Sequence, residues 1–169
     1  MEPAEGSAGP VTPHSADEAI VVQLLAVISG DAPMADAERL LAPDVISHMD
    51  QWTVRGITVW FDWLEFLLSK VEGSVTVELD RLVTHEDGTI TAYGKLRTAH
   101  APLSSRQEHQ ATYRLENGRI AEVWTTRGNY EMIFGPKVRH PVRWLLVLLE
   151  MAVWRRLPWR RRAVIPPRN

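Results

Sequence analysis

The stretch Ser74-Val-Thr-Val-Glu-Leu-Asp-Arg-Leu-Val-Thr-His85, continued through Asp87-Gly88 into Ile90-Thr-Ala-Tyr-Gly-Lys-Leu-Arg-Thr-Ala-His100, decides how this chain is read. Val75, Val77 and Leu79 alternate with Thr76, Glu78 and Asp80, which is the period of a strand with one apolar face. Asp87-Gly88 is a hairpin signal, so residues 90–100 return as a second strand. After a loop over 102–105, residues 106–115 supply a third strand. Asn117-Gly118 then turns the chain into a fourth, which the pattern carries from 119 to about 133. The four together predict an antiparallel meander.

Upstream the period changes to that of a helix. Ser15-Ala-Asp-Glu18 has the form of a capping box, and Ile20, Leu24, Val27 and Ile28 follow at helical spacing, so a helix is expected over 16–29. Gly30-Asp-Ala-Pro33 stops it. A short second helix over 36–41 ends at Pro43, a brief β-prone run covers 44–49, and a polar loop covers 50–55. Gly56 opens a third helix in which Ile57, Trp60, Trp63, Leu64, Leu67 and Val71 form one apolar stripe directed at the core. The fold class is therefore α+β: a curved antiparallel sheet packed against N-terminal helices, with an added C-terminal helix.

A chain of 169 residues can bury one ordinary core without staples. It has no cysteine, so disulfides, thiolate metal sites and cysteine nucleophiles are excluded, and a reducing cytoplasm is the expected setting. The six histidines, at 14, 48, 85, 100, 109 and 140, show no metal-ligand spacing, and neither a metal nor a cofactor is expected. Residues 1–14 read as a disordered lead-in without the features of a secretory signal. The domain proper is expected over 15–136 and a basic amphipathic extension over 137–169. That extension carries nine basic residues against Glu150, so the preceding 136 residues hold a net charge of about −10. An acidic body argues against nucleic acid.

The order of elements, with Leu41-Ala-Pro-Asp-Val-Ile-Ser-His48, Arg55-Gly56 opening a helix, and Glu116-Asn-Gly-Arg-Ile-Ala-Glu-Val-Trp124, resembles the SnoaL-like polyketide cyclases. These belong to the superfamily of ketosteroid isomerase, scytalone dehydratase, limonene epoxide hydrolase and nuclear transport factor 2. The resemblance covers about 15–135. It implies a cone-shaped fold, a homodimer, and a pocket between the concave sheet face and the helices. It implies no single reaction, because this scaffold hosts isomerases, dehydratases, cyclases and non-enzymes alike. Many SnoaL-like enzymes carry an aspartate four residues after the tryptophan of the last strand. Here that position is Gly128, which departs from the pattern.

Four residues are candidates for acid/base chemistry. His48 and Asp50 stand two apart at the end of the first strand, beside the loop that borders the pocket mouth in the resembled family, so the carboxylate could orient the imidazole or act as base itself. The structural alternative is a half-buried strand histidine and a loop carboxylate capping backbone amides. His100 shares a strand face with Ile90, Ala92, Gly94, Leu96 and Thr98, whose small members suit a wall curved around a cavity. His109 shares one with Ala111, Tyr113 and Leu115. The alternative places His109 and Tyr113 on the convex face or in a dimer interface.

For substrate contact the candidates are Trp52, Trp60, Trp63, Tyr113 and Trp124, an aromatic set suited to a hydrophobic ligand or, equally, to a core. Trp124 shares a face with Ile120 and Glu122 in a regular strand, and a bulge would move it to the other. The expected function is a cofactor-free enzyme of isomerase, cyclase, dehydratase or epoxide hydrolase type. It would act on a hydrophobic polyketide- or terpenoid-like molecule. The alternative is a non-catalytic binding or membrane-associated module. Residues 141–162 join an apolar run bearing Trp144 and Trp154 to five arginines, the composition of a peripheral membrane contact.

Overall fold

The computed structural model describes residues 11–49, 52–70, 75–98, 105–127, 149 and 164–165. In chain order these form α1 (Ala16–Ser29), a 3-10 turn (Met34–Asp36), α2 (Ala37–Leu40), β1 (Leu41–Met49), β2 (Trp52–Arg55) and α3 (Ile57–Lys70). The meander follows as β3 (Val75–Thr84), β4 (Ile90–Thr98), β5 (Ser105–Glu116) and β6 (Arg119–Arg127), and a two-residue β7 (Val164–Ile165) ends the series. The strands make one sheet in the order β3-β4-β5-β6-β1-β2-β7.

α1 begins where the sequence places it. The Ser15 side chain accepts the Glu18 N–H at 3.1 Å, while the Glu18 carboxylate reaches back one residue further than in a standard box and accepts the His14 N–H at 2.6 Å. The same carboxylate takes the Thr84 hydroxyl at 2.8 Å, and at the helix's other end the Ser29 hydroxyl oxygen accepts the Val77 N–H at 2.9 Å. β3 lies at the edge of the sheet. α1 is thus tied to both ends of that edge strand, and one of its otherwise unpaired amides is satisfied.

Three expectations are corrected. The sheet is antiparallel except between β1 and β6, which pair in parallel as Ser47↔Val123 and Met49↔Thr125. The polar loop over 50–55 is instead the return arm of a hairpin, since Trp52–Arg55 pairs antiparallel with β1. The strand expected over 44–49 begins at Leu41 and runs through Pro43. It does so because pairing with β6 lapses between Leu41 and Ile46, where proline's missing N–H leaves no ladder bond unmade. β7, pairing antiparallel with β2, was not foreseen.

The predicted ends of the second and fourth meander strands, the added C-terminal helix and the stretch 141–162 fall outside the described residues, except that Leu149 is helical and 55% exposed. Among the described residues no helix is long and apolar enough to cross a membrane.

The core lies between the helices and one face of the sheet. Val21, Leu24, Leu25 and Val27 of α1 and Trp60, Trp63 and Leu64 of α3 are buried with Ile90, Ala92, Leu96, Ala111, Tyr113, Ile120 and Val123 of the meander. The predicted α3 stripe is buried at Trp60, Trp63 and Leu64, while Val71 and the Leu67 side chain lie outside the described residues. The meander bends around it with the help of Gly94, where an added Cβ would fall inside contact of the Glu78 carbonyl oxygen. The register of β3 against β4 shifts between Leu79 and Arg81, and this bulge brings the β3 backbone over that glycine.

Candidate functional site

Alternation along the strands assigns each side chain to the face under the helices or to the opposite one. The Cα pairs Ile90↔Tyr113, Tyr113↔Val123 and Ser47↔Val123 make one row on the helix-covered face. The pairs Ala92↔Ala111, Ala111↔Thr125 and Met49↔Thr125 make the next, and Gly94↔His109 the third. Over these rows a cavity of about 70 Å³ remains. Leu24, Leu25 and Ile28 close it from α1, and Trp60, Trp63, Leu64 and Leu68 from α3. Its described polar lining is Ser47, His109, Tyr113 and Thr125, with Met49, Val75, Val77, Leu96 and Val123 making up the rest of the sheet side.

His109 and Tyr113 are 7% and 2% exposed, and they stand four residues apart on one face of β5, about 13 Å along the strand at 3.3–3.4 Å per residue. Burial pushes the Tyr113 phenol well above its ordinary value, so it stays protonated at any physiological pH and can donate a hydrogen bond without titrating. The absence of bulk at Ala111 between them leaves the strand face low at that point. The spacing of His109 and Tyr113 along β5 is between their Cα atoms, and both side chains line the same small cavity.

His48 is elsewhere. β1 turns Val45, Ser47 and Met49 inward, each buried, and His48 therefore points to the opposite face. There its Nε2 lies 2.6 Å from Glu122 Oε1 and its Nδ1 3.2 Å from the Thr53 hydroxyl. Its ring stacks on Trp124 with centroids 5.5 Å apart and planes 7° from parallel. Arg114 donates to Glu122 Oε2 from Nη2 at 2.6 Å and from Nε at 3.2 Å, and pairs with Glu116 as well. Desolvation pushes the Glu122 carboxyl up, but hydrogen bonds from the His48 ring and Arg114, with the guanidinium charge, outweigh it and hold the group below the usual carboxylate range. The arrangement bridges β2, β1, β6 and β5 across the face opposite α1 and α3.

Of the expected site, then, the structure brings His109, Tyr113, Trp60 and Trp63 to one cavity. His48 and Trp124 meet each other on the far side of the sheet. Trp124 is there because the β5–β6 register shifts between Arg114 and Leu115. Leu115 pairs with Ile120 and Arg114 with Glu122, so Ala121 is an extra residue that reverses the alternation after it. Asp50 and His100 lie outside the described residues, and Trp52 is described through its backbone pairing with Met49.

Sequence reasoning missed Ser47 and Thr125 as lining residues, and Arg114 and Glu122 as partners of His48. Ser47 was legible once Val45 and Met49 are taken as the inward pair. The adjacent Ile46 made the opposite phase equally readable. Among the described residues no group of three or more His, Cys, Asp or Glu side chains could hold a metal ion.

The sequence matches no family model and no curated protein. Its fold does match solved structures. An NTF2-like protein of unknown function from Burkholderia pseudomallei K96243 superposes with a TM-score of 0.59 at 20% identity, over 70% of this chain and 95% of its own. IdmH of Streptomyces antibioticus, assigned as a polyketide cyclase, gives 0.57 at 17%, over 69% and 95%. A protein of Jannaschia sp. CCS1, assigned as a SnoaL-like polyketide cyclase, gives 0.57 at 15%, over 68% and 89%.

A de novo designed protein with a curved β-sheet also reaches 0.57, at 12% identity, so the likeness speaks of architecture and not of chemistry. It agrees with the element order and motifs from which the resemblance was first read. The chain has the SnoaL/NTF2-like fold, an α+β cone in which a curved sheet wraps a small apolar cavity beneath its helices.

Proposed function

We propose that this protein binds a hydrophobic small molecule in the cavity under α1 and α3 and acts on it by acid/base chemistry. In this reading His109 is the proton-transfer group and Tyr113 a neutral hydrogen-bond donor. The observation that carries it is the placement of these two side chains on one strand face, both buried, at the wall of a largely apolar cavity. Imidazole is the side chain whose ordinary titration lies near neutrality, and a phenol kept protonated by burial can stabilise charge developing on an oxygen. Proton abstraction beside a carbonyl, or proton delivery to a leaving oxygen, needs no more than that pair. The assignment of several fold neighbours as polyketide cyclases supports a hydrophobic, carbonyl-bearing substrate.

The test is exchange of the protons α to the carbonyl of cyclic ketones, followed by NMR in D2O. The protein should accelerate the exchange. His109→Phe should lower the rate about 100-fold or more and Tyr113→Phe about 10-fold, within the range of general acid/base contributions. Undiminished exchange in a folded His109→Phe protein would remove His109 from the chemistry. A second reading, a binding module without chemistry, is favoured by the small size of the cavity. It predicts saturable binding with no exchange that depends on His109.

A further inference from the structure

The cavity's chemistry and size say more about its occupant than the fold does. The following rests on the reading above only in taking this cavity as the binding site. Among the described residues that line it there is no Asp, Glu, Lys or Arg; its hydrogen-bonding capacity is Ser47, Thr125, Tyr113 and His109. A carboxylate or phosphate brought between Trp60, Trp63, Leu64 and the sheet would shed its water and find none of these cations to replace it. An uncharged group is accommodated, since the Tyr113 hydroxyl donates to a carbonyl or hydroxyl oxygen without either partner being ionised.

The volume sets the other limit. A closed apolar cavity of about 150 Å³ holds a benzene molecule, and ordinary small-molecule pockets run from about 300 to 1,000 Å³. The space here is about 70 Å³, half of what one ring needs. Leu68 and Val77 on its wall are only partly buried, unlike Leu24, Trp60 and Trp63. Displacement of such a rim side chain admits a ring. Seating a polycycle would require the buried tryptophans of α3 to leave the core. We propose that the site takes an uncharged, single-ring or comparably compact apolar molecule bearing a carbonyl or hydroxyl group, and rejects both anionic and polycyclic ligands.

The experiment uses the full chain and three probes: cyclohexanone, cyclohexanecarboxylate and anthrone. Binding is read from the amide shifts of Ala111, Tyr113 and Val123 and from tryptophan fluorescence. Cyclohexanone should bind saturably and shift these amides. The carboxylate should bind at least 10-fold more weakly at pH 7 and gain affinity as the pH falls toward its own pKa, because its neutral acid is the form the site accepts. Tyr113→Phe should weaken cyclohexanone about 5-fold, the worth of one ordinary hydrogen bond.

Equal affinity for ketone and carboxylate at pH 7, tighter binding of anthrone than of cyclohexanone, or no binding of any probe would each overturn the proposal. Saturable, charge-selective binding without α-proton exchange would uphold it while removing the acid/base role of His109.

Discussion

Gly88 and Gly94 stand at two places where a methyl group should be resisted for different reasons, and substituting both tests the account of the sheet. Gly88 has φ +79° with nothing within 4 Å of the position a Cβ would take, so Gly88→Ala meets backbone strain alone. The left-handed conformation costs an L-residue about 1–2 kcal/mol, and the stiffer unfolded chain returns about 0.4–1 kcal/mol, which leaves a net loss of about 0.8 kcal/mol at the middle of those ranges. Gly94 is not in that conformation. Its added Cβ would fall inside contact of the Glu78 carbonyl oxygen and 3.1 Å from both the Glu78 carbonyl carbon and Leu79 Cα. All three atoms are backbone, so relief requires β3 to move, at a cost of about 1–3 kcal/mol or more.

In urea unfolding, with a slope of about 1.5 kcal/mol per M, Gly94→Ala should lower the midpoint by about 1 M or more and Gly88→Ala by half that or less. Gly88→Asn should recover most of the loss at 88, because asparagine tolerates positive φ. Gly94 pairs with both Leu79 and His109, so the 94 variant should also weaken ligand binding in the cavity. Wild-type stability in Gly94→Ala, or a larger loss at 88 than at 94, would refute this reading of the bulge.

Two further outcomes follow from the charged groups. The Glu18 and Glu122 carboxyls are both held below their ordinary 4.5, Glu18 chiefly by the His14 N–H and the Thr84 hydroxyl, so each favours the folded state above that pH. Stability should decline as the pH falls from about 4.5 through the folded values, and Glu122→Gln and Glu18→Gln should each flatten that acid limb in thermal melts recorded from pH 7 to pH 3. His48→Phe keeps a ring on Trp124 but deletes the contacts to Glu122 and Thr53, so it should cost about 1–2 kcal/mol in unfolding while leaving cyclohexanone affinity unchanged. A large affinity change would mean that His48 acts on the cavity after all.

The meander and its helices were legible because their signals are local. Alternation from Val75, the Asp87-Gly88 and Asn117-Gly118 turns, and the Ser15 cap each specify their own neighbourhood. What escaped was set by partners distant in sequence. The β1–β6 pair joins residues some seventy-five positions apart, and nothing in Val45-Ile46-Ser47-His48 says which phase faces the core. The same holds for Trp124, whose face depends on an extra residue at Ala121 that breaks no rule of composition. His109 and Tyr113 were read correctly as sharing a face because β5 pairs with β4 without a shift from one to the other, and the β5–β6 shift at Gln110/Ala111 puts its extra residue, Thr126, on β6. That shared phase is a property of one strand, and a sequence can show it. Convergence on a cavity is a property of seven elements, and it cannot.

The parallel pairing of β1 with β6 bears on how the chain acquires its structure during synthesis. At about 5–20 residues per second, β1 waits roughly 4–15 s after its own emergence before β6 leaves the ribosome. Until then it has the β2 hairpin for company, and a two-stranded hairpin is marginal by itself. Leu41, Val45 and Met49, buried in the finished sheet, stay open to solvent and to chaperones through that interval. The meander meanwhile closes on near neighbours as fast as it is made. A nascent chain halted before Arg119 should therefore leave β1 open to protease, however complete its N-terminal half.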